Sequence, residues 1–305
     1  MDHLFLLDAS MQIAKTDYVS FTFFVGTMAM MAAAVFFFLE LNNTSKEWRT
    51  SVLVSGLITF IAAVHYYYMR GYYMETHDSP TFFRYVDWLL TVPLMCVEFY
   101  LITKKAGGTS GLLWKMILAS VVMLVTGYWG EAVAPAQATL WGTLSAIAYF
   151  YIVYEVWMGD VKKLATGAGT AVASANAALG WFVLVGWAIY PLGYLIGTAD
   201  GQWYASFKNI GIDMNIIYNI GDAVNKIGFG FWITVSNTTS TTVRYTYITK
   251  EAKGSVINFN YDTANVLQSV NWSMIPPNAP VANFGYTLGG AGSVAFVDSS
   301  DNYPT

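Results

Sequence analysis

The chain has 305 residues, of which 55% are hydrophobic, 17% aromatic and only 11% charged, with a formal net charge of -4 at pH 7. About a quarter of the residues in a soluble domain are charged, so this composition indicates a membrane protein. The weak net charge and the lack of a basic, aromatic-rich run exclude nucleic acid as a partner, and the single cysteine, Cys96, excludes an internal disulfide and a cysteine-rich metal site.

The predicted elements begin with an N-terminal segment, residues 1–16, which lacks a basic n-region and is not predicted to be a signal peptide. Beyond it, windows of about 20 apolar residues predict seven membrane-spanning helices. They cover residues 17–41, 51–73, 81–103, 111–130, 136–158, 173–198 and 208–234. The predicted fold class is an all-α membrane protein, a seven-transmembrane helix bundle within residues 17–236.

The charged residues of the loops predict the orientation of this bundle. Basic pairs follow the first, third and fifth spans: Lys46 with Arg49, Lys104 with Lys105, and Lys162 with Lys163. The alternate loops carry mainly acidic residues. By the positive-inside rule the N-terminus is outside and the C-terminus is cytoplasmic.

Residues 237–305 differ abruptly in composition and are rich in Thr, Ser, Asn and Gly. Period-two runs such as TTVRYTYITK and GSVAFVDSS predict short strands. This C-terminal extension is either a small β appendage or a weakly ordered tail. A junction of unrelated sequence, from a gene fusion or an assembly error, is equally consistent with the change in composition.

The third span carries ionisable residues at membrane depth, in RYVDWLLTVPLMCVEFY. Eleven positions at 100° each bring Asp87 and Glu98 within about 20° of one direction, roughly 16 Å apart along the axis, and Thr91 lies between them. Arg84 lies one turn before Asp87 and is expected to partner it. Such residues are costly in a membrane and indicate function, with interhelical polar contacts as the alternative.

The seventh span contains a second pair, Asp222 and Lys226, four residues apart and therefore on one helix face. A free ammonium at this depth is costly. A Schiff base with a carbonyl cofactor, balanced by Asp87 and Asp222 from facing helices, removes that cost, and a plain buried ion pair is the alternative.

Large flat side chains on two spans predict a pocket for an elongated apolar ligand. They are Trp88 on the third span and Trp187, Tyr190 and Pro191 on the sixth. Aromatic residues in a membrane bundle also serve as ordinary packing, so this prediction depends on the buried lysine nearby.

These residues lie within longer motifs: HYYYMRGYYMETHDSPTFFRYVDWLLTVPL, CVEFYLI, GYWGEA, GWAIYPLGY and IIYNIGDAVNKI. In them the chain resembles the microbial rhodopsins, and among these the proteorhodopsin group of light-driven outward proton pumps. The resemblance extends over residues 17–236. It implies a multi-pass protein of a bacterial inner membrane, an ion transporter rather than an enzyme, and assembly as a homo-oligomer, a pentamer or hexamer, in the lipid bilayer.

The resemblance also implies roles for the site residues. Lys226 would carry all-trans retinal as a protonated Schiff base. Asp87 would be counterion and proton acceptor, with Asp222 as second counterion and Glu98 as cytoplasmic proton donor. Thr91 completes the family's Asp-Thr-Glu pump signature, and His65 matches a histidine that hydrogen-bonds the acceptor and tunes its pKa.

Two further positions concern light absorption. Met95 matches the colour-tuning site, where an apolar residue implies green absorption. Gly142 on the fifth span matches a glycine that, in the similar xanthorhodopsins, opens a window for a carotenoid antenna. Close packing of two helices is the alternative explanation of this glycine.

Parts of the sequence are also consistent with other functions. The first is a retinal-based photosensor that signals through a partner, against which Glu98 argues because sensors commonly lack a carboxylate donor. Chloride-pump and sodium-pump variants conflict with Asp87 and with the Asp-Thr-Glu set. A membrane receptor or structural protein with an ion-paired Lys226 would not bind retinal.

Overall fold

A computed structural model describes residues 13–44, 46, 48–211 and 213–238, together with five strands between residues 242 and 298. The chain divides into two compact units, residues 1–237 and 238–305. Part of the N-terminal segment predicted for residues 1–16 lies outside the described residues.

The first unit is a bundle of helices. Their bounds are α1 Tyr18–Glu40, α2 Arg49–Thr76, α3 Thr81–Thr103, α4 Ser110–Tyr128, α5 Ala138–Trp157, α6 Asp160–Gly167, α7 Thr170–Trp181, α8 Ile189–Gly197 and α9 Met214–Thr238. Three short 3-10 helices lie at Lys104–Ala106, Pro135–Gln137 and Ala205–Ile210. Two π-helical turns lie at Trp129–Val133 and Phe182–Gly186.

All seven predicted spans fall on helices of this bundle. Among the described residues, five helical segments are long and apolar enough to cross a membrane: Tyr18–Glu40, Arg49–Thr76, Thr81–Ala106, Ser110–Val133 and Val172–Gly197. The other two predicted spans are α5 and α9, with 20 and 25 residues. They are long enough to cross but more polar, because α5 contains Glu155 and several tyrosines and α9 contains Asp222 and Lys226.

Two helices differ from the predicted spans. The seventh was predicted from residue 208, but α9 begins at Met214 because Gly211 adopts a left-handed conformation with φ 72°. The sixth is interrupted by the π turn Phe182–Gly186, so that α7 and α8 share one predicted span.

The larger part of the core surrounds α3. Side chains from seven described helices, α2 to α7 and α9, and from the π turn in the sixth span meet there, among them Trp88, Phe99, Met116, Ile152, Val183 and Phe229, all buried. The polar residues of α3 therefore face the interior of the bundle.

The second unit contains strands β1 Thr242–Tyr247, β2 Ser255–Tyr261, β3 Leu267–Ser273, β4 Phe284–Gly289 and β5 Ser293–Asp298. β1, β2 and β3 form an antiparallel sheet in that order, and β4 pairs antiparallel with β5. β1 and β5 lie within the runs TTVRYTYITK and GSVAFVDSS, whose alternation predicted strands, whereas β3 and β4 lie outside the predicted runs.

Candidate functional site

The predicted polar face of α3 is buried. Asp87, Thr91 and Glu98 are each 0% exposed and Arg84 is 2% exposed. The Thr91 hydroxyl donates to the Asp87 backbone carbonyl at 2.9 Å, a bond within the helix, so its side chain is satisfied locally. Pro93 lies between Thr91 and Glu98 without ending the helix.

Lys226 joins α9 to α3. Its Nζ atom donates to Oδ2 of Asp87 at 2.5 Å and to Oδ2 of Asp222 at 3.0 Å, and the lysine is 2% exposed. A buried charge is tolerated only where partners balance it, and here two carboxylates surround one amine. The Nζ position is where a Schiff-base nitrogen would lie if a carbonyl cofactor were attached.

The two carboxylates have unequal surroundings. Asp222 accepts hydrogen bonds from Tyr66 Oη at 2.8 Å, Tyr190 Oη at 2.5 Å and Trp88 Nε1 at 3.1 Å, in addition to Lys226. Within the described residues, Oδ1 of Asp87 has no hydrogen-bond partner. Donors directed at a carboxylate stabilise its ionised form, so Asp222 is held as an anion whereas Asp87 keeps an oxygen able to take up a proton.

His65 does not make the predicted hydrogen bond to Asp87. Its Nδ1 lies 2.9 Å from the Ile61 carbonyl in its own helix and 3.7 Å from Oδ1 of Asp87. The longer distance exceeds hydrogen-bond range. The imidazole is turned toward its own backbone, and no direct hydrogen bond joins it to Asp87.

Arg84 also differs from expectation, because it forms no salt bridge with Asp87. Its Nη2 donates to Oδ1 of Asn215 and to Oδ1 of Asn219, each at 3.0 Å. The guanidinium lies over the rings of Phe23 and Tyr218, 5.2 and 5.1 Å from their centroids. The sequence interpretation missed both asparagines, although Asn219 lies one turn before Asp222 on α9.

Glu98 lies in the opposite half of the bundle. The Ser55 hydroxyl donates to Oε1 at 3.5 Å, and the buried Ser51 lies one turn before Ser55 on α2. Oε2 has no partner in the part of the chain that the structure describes. The eleven positions from Asp87 place Glu98 about 16 Å away along α3.

An apolar cavity lies between the third, fourth, fifth and sixth spans and has an empty volume of about 680 Å³, counted to its open mouth. Its lining includes the predicted residues Trp88, Trp187, Tyr190, Pro191 and Gly142. Small-molecule sites in proteins are likewise lined mainly by apolar and aromatic side chains.

This cavity ends close to Lys226, since Trp88 and Tyr190 line it and both donate to Asp222. Met95 is buried at 1% exposure but does not line the cavity. The cavity and the charge-balanced amine therefore fit an elongated apolar carbonyl compound such as retinal.

Gly142 lies in close contact with Tyr194. A Cβ atom at residue 142 would come within 2.5 Å of that ring. The Tyr194 hydroxyl donates to the Ala138 carbonyl at 2.7 Å, which fixes the ring against α5. The absent side chain of Gly142 thus makes room for Tyr194.

The π turn at Phe182–Gly186 is tied to α9 by a residue that the motifs did not identify. Asn225 Nδ2 donates to the Gly186 carbonyl at 2.8 Å, next to Lys226 in the chain. Periodicity cannot predict this bond, because it depends on a local departure from regular helical geometry.

Fold and site together define a multi-pass membrane protein with a buried lysine held between two carboxylates at the edge of an apolar cavity. A family model described as bacteriorhodopsin-like protein matches residues 17–240. The chain belongs to the bacteriorhodopsin-like family, which confirms the resemblance and the seven-helix fold class predicted from the sequence.

Two proteorhodopsins are similar to the chain in sequence. The chain is 46% identical over 228 residues to a green-light absorbing proteorhodopsin of Gamma-proteobacterium EBAC31A08, covering 74% of this chain and 87% of the relative. It is also 46% identical over 222 residues to a blue-light absorbing proteorhodopsin of Gamma-proteobacterium Hot 75m4, covering 72% and 85%.

Solved structures show the same fold. A blue light-absorbing proteorhodopsin from Med12 is 38% identical with a TM-score of 0.60, covering 73% of this chain and 98% of the other. Xanthorhodopsin, described as a light-driven ion pump with dual chromophore, is 28% identical with a TM-score of 0.61, covering 72% and 92%.

Proposed function

We propose that this protein is a light-driven proton pump, not an enzyme, which binds all-trans retinal through a protonated Schiff base at Lys226 and moves protons from the cytoplasm to the outside. The observation that carries this proposal is the line of buried groups along the bundle: Glu98 on one side of Lys226, and Asp87 with Asp222 beside it. Rhodopsin relatives, several of them named proteorhodopsins, support the same reading.

Retinal, when bound, supplies absorption of visible light and an isomerisation that changes the direction and proton affinity of the nitrogen attached to Lys226. The residues present fit it. Trp88, Trp187, Tyr190 and Pro191 would enclose an elongated apolar chain, and two carboxylates would balance the charge at Nζ.

Asp87 is the group that takes the proton from Nζ. Its Oδ2 is already in hydrogen-bond contact with Nζ, so the transfer needs little movement of heavy atoms. Asp222 keeps its negative charge because three further donors hold it. Asp87 accepts a proton only when ionised, so its pKa sets the lower pH limit of pumping, and His65 would tune that pKa.

Arg84 separates Asp87 from the outer surface. Its guanidinium makes hydrogen bonds to two neutral asparagines and lies against two rings, an arrangement that a moderate side-chain movement can exchange for a contact with a carboxylate. We infer that Arg84 responds to the charge of Asp87 and favours release of protons on the outer side.

Glu98 returns a proton to Nζ from the cytoplasmic half. It is fully buried and only weakly hydrogen-bonded, so it is expected to hold a proton until the nitrogen at Lys226 needs one. Uptake on this side and release on the other make the transport directional. Thr91 lies on α3 between these two carboxyl groups and would provide a polar side chain between them.

The loop lysines support a bacterial inner membrane location, with the N-terminus outside and the C-terminus cytoplasmic. An oligomer, pentameric or hexameric, follows from the family resemblance. Green absorption follows from Met95, although green-absorbing and blue-absorbing relatives are equally similar in identity. A carotenoid antenna at Gly142 finds less support, because Tyr194 fills the space beside that glycine.

The test is the pH of an unbuffered suspension of cells that express the full chain, with and without added retinal, under green light and in the dark. Retinal-dependent acidification that a protonophore abolishes is expected. A coloured protein that gives no pH change would contradict the pump and support a photosensor. A colourless protein would indicate that Lys226 forms only an ion pair and binds no retinal.

A further inference from the structure

A second cavity lies at the Glu98 end of the bundle and has an empty volume of about 1520 Å³, counted to its open mouth. We call it the lysine vestibule. The polar and aromatic residues that define it are Trp48, Thr50, Ser51, Lys104, Lys105 and Lys163. They come from α2, from the 3-10 turn that follows α3, and from α6.

The lysine vestibule carries positive charge. Three lysines line it, and none of its described lining residues is acidic. Lys163 has a carboxylate neighbour in Asp160, whose Oδ1 lies 3.6 Å from Nζ of Lys163. Both side chains of this pair are largely solvent-exposed, so water weakens their attraction and Lys163 remains able to bind another anion.

Two helices also begin at this cavity. Trp48 is the N-cap of α2, Gly169 is the N-cap of α7, and neither helix start has a side-chain capping bond. Thr50 and Ser51 of α2 and Val172 of α7 line the vestibule. Free backbone N–H groups at a helix start attract anions, which adds to the charge of the lysines.

The inner wall of the vestibule touches the pumping machinery. Ser51, 2% exposed, lines the cavity and lies one turn before Ser55, whose hydroxyl is 3.5 Å from Oε1 of Glu98. A ligand bound in the vestibule is therefore about one turn of α2 away from the contact with Glu98.

We propose that the lysine vestibule binds a phosphate group and that its occupancy sets the rate at which Glu98 regains a proton. The second half of this statement rests on the proposed function. An empty vestibule repels protons through its lysines. A bound phosphate offsets that charge and holds a titratable oxygen near Glu98, so uptake becomes faster.

Phosphate reaches such a site from two sources. One is free phosphate in the cytoplasm, and the other is the headgroup of an anionic lipid in the same leaflet. The alternative is that these lysines only orient the protein in the membrane and bind no phosphate. A matched lysine outside the vestibule is therefore needed as a control. The control is Lys115, an exposed residue near the start of α4 that does not line the vestibule.

The binding test uses the full chain in phosphatidylcholine nanodiscs and inorganic phosphate as the probe, with chloride holding ionic strength constant. Phosphorus NMR line width should show saturable binding to the unmodified protein and to Lys115→Gln. The double variant Lys104→Gln/Lys163→Gln should bind at least tenfold more weakly, with an unchanged circular dichroism spectrum. Non-saturable binding, or equal binding by all three proteins, overturns the proposal.

Two further arms complete the test. If phosphatidylglycerol in the nanodisc weakens phosphate binding to the unmodified protein but not to the double variant, a lipid headgroup occupies the same site; no competition identifies free phosphate as the ligand. Flash experiments should show faster recovery of the pigment over the same phosphate range as binding. Binding without faster recovery overturns the proposal that phosphate sets the rate at which Glu98 regains a proton. A protein that does not pump still gives a valid binding result.

Discussion

The Nζ atom of Lys226 lies 2.5 Å from Oδ2 of Asp87, although the two residues are 139 positions apart in the chain. This contact joins the third and seventh spans at the centre of the bundle. Asp222, four residues before Lys226, lies 3.0 Å from the same nitrogen but has three additional donors. The difference between the two carboxylates assigns them different tasks in the proposed cycle.

Replacing Asp87 with Asn is expected to abolish proton transport, because an amide at this position cannot accept the proton of Nζ. The pigment should absorb at longer wavelength, since a negative charge beside the nitrogen stabilises its positive ground state. Light-induced pH change and the absorption spectrum measure both effects. Asp200→Asn, at an exposed loop position, is the control. Transport that survives in Asp87→Asn would exclude Asp87 as the acceptor.

Replacing Glu98 with Gln should leave the colour unchanged, because Glu98 lies about 16 Å from Asp87 along the helix. The return of a proton to Nζ should slow by roughly 10²-fold, the lower end of what a positioned general acid contributes. Flash spectroscopy measures the recovery rate, and a small permeant weak acid should restore part of it. An unchanged recovery would mean that protons reach Lys226 by another route.

Replacing Tyr190 with Phe removes the 2.5 Å hydrogen bond to Asp222. A buried carboxylate that loses one charge-assisted bond costs about 1–3 kcal/mol of stability. We expect a lower melting temperature and a shifted absorption band. Tyr151→Phe is the control, because its hydroxyl also donates to a carboxylate, Oε1 of Glu155 at 2.9 Å, but the residue does not line the apolar cavity. An equally large spectral shift in the control would contradict a specific effect of the hydrogen bond to Asp222 on absorption.

Replacing Gly142 with Ala should destabilise the protein by about 1–3 kcal/mol, since the new methyl group would press on Tyr194. Gly71→Ala is a matched control, because a Cβ atom there meets nothing within 4 Å. In the helix interior that control should gain up to ~1 kcal/mol. Thermal melts of both variants decide the matter. A stable Gly142→Ala protein would indicate that the space beside Gly142 is open enough for an antenna.

Much of this arrangement can be predicted from the sequence. The spacing of Asp87 and Glu98 places both on one face of α3, and the four-residue step from Asp222 to Lys226 places both on one face of α9. These follow from helix geometry, which depends only on local periodicity. The family motifs then connect the two helices.

The remaining details depend on packing between distant segments. Arg84 could hydrogen-bond either Asp87 or the asparagines of α9, and His65 either Asp87 or its own backbone. Helical periodicity does not indicate which of these partners is used. The seventh span was predicted to begin at residue 208 rather than at Met214, because hydropathy does not reveal that Gly211 adopts a left-handed backbone. The lysine vestibule brings together separate segments and has no sequence motif of its own.

The most direct measurement of the central claim is time-resolved infrared spectroscopy after a flash, on the retinal-reconstituted protein. If Asp87 takes the proton, the carbonyl stretch of a newly protonated carboxylic acid appears as the proton leaves Nζ of Lys226, and this band is missing in Asp87→Asn. A band that persists in Asp87→Asn, or a proton leaving Nζ with no carboxyl group taking it up, would contradict the account.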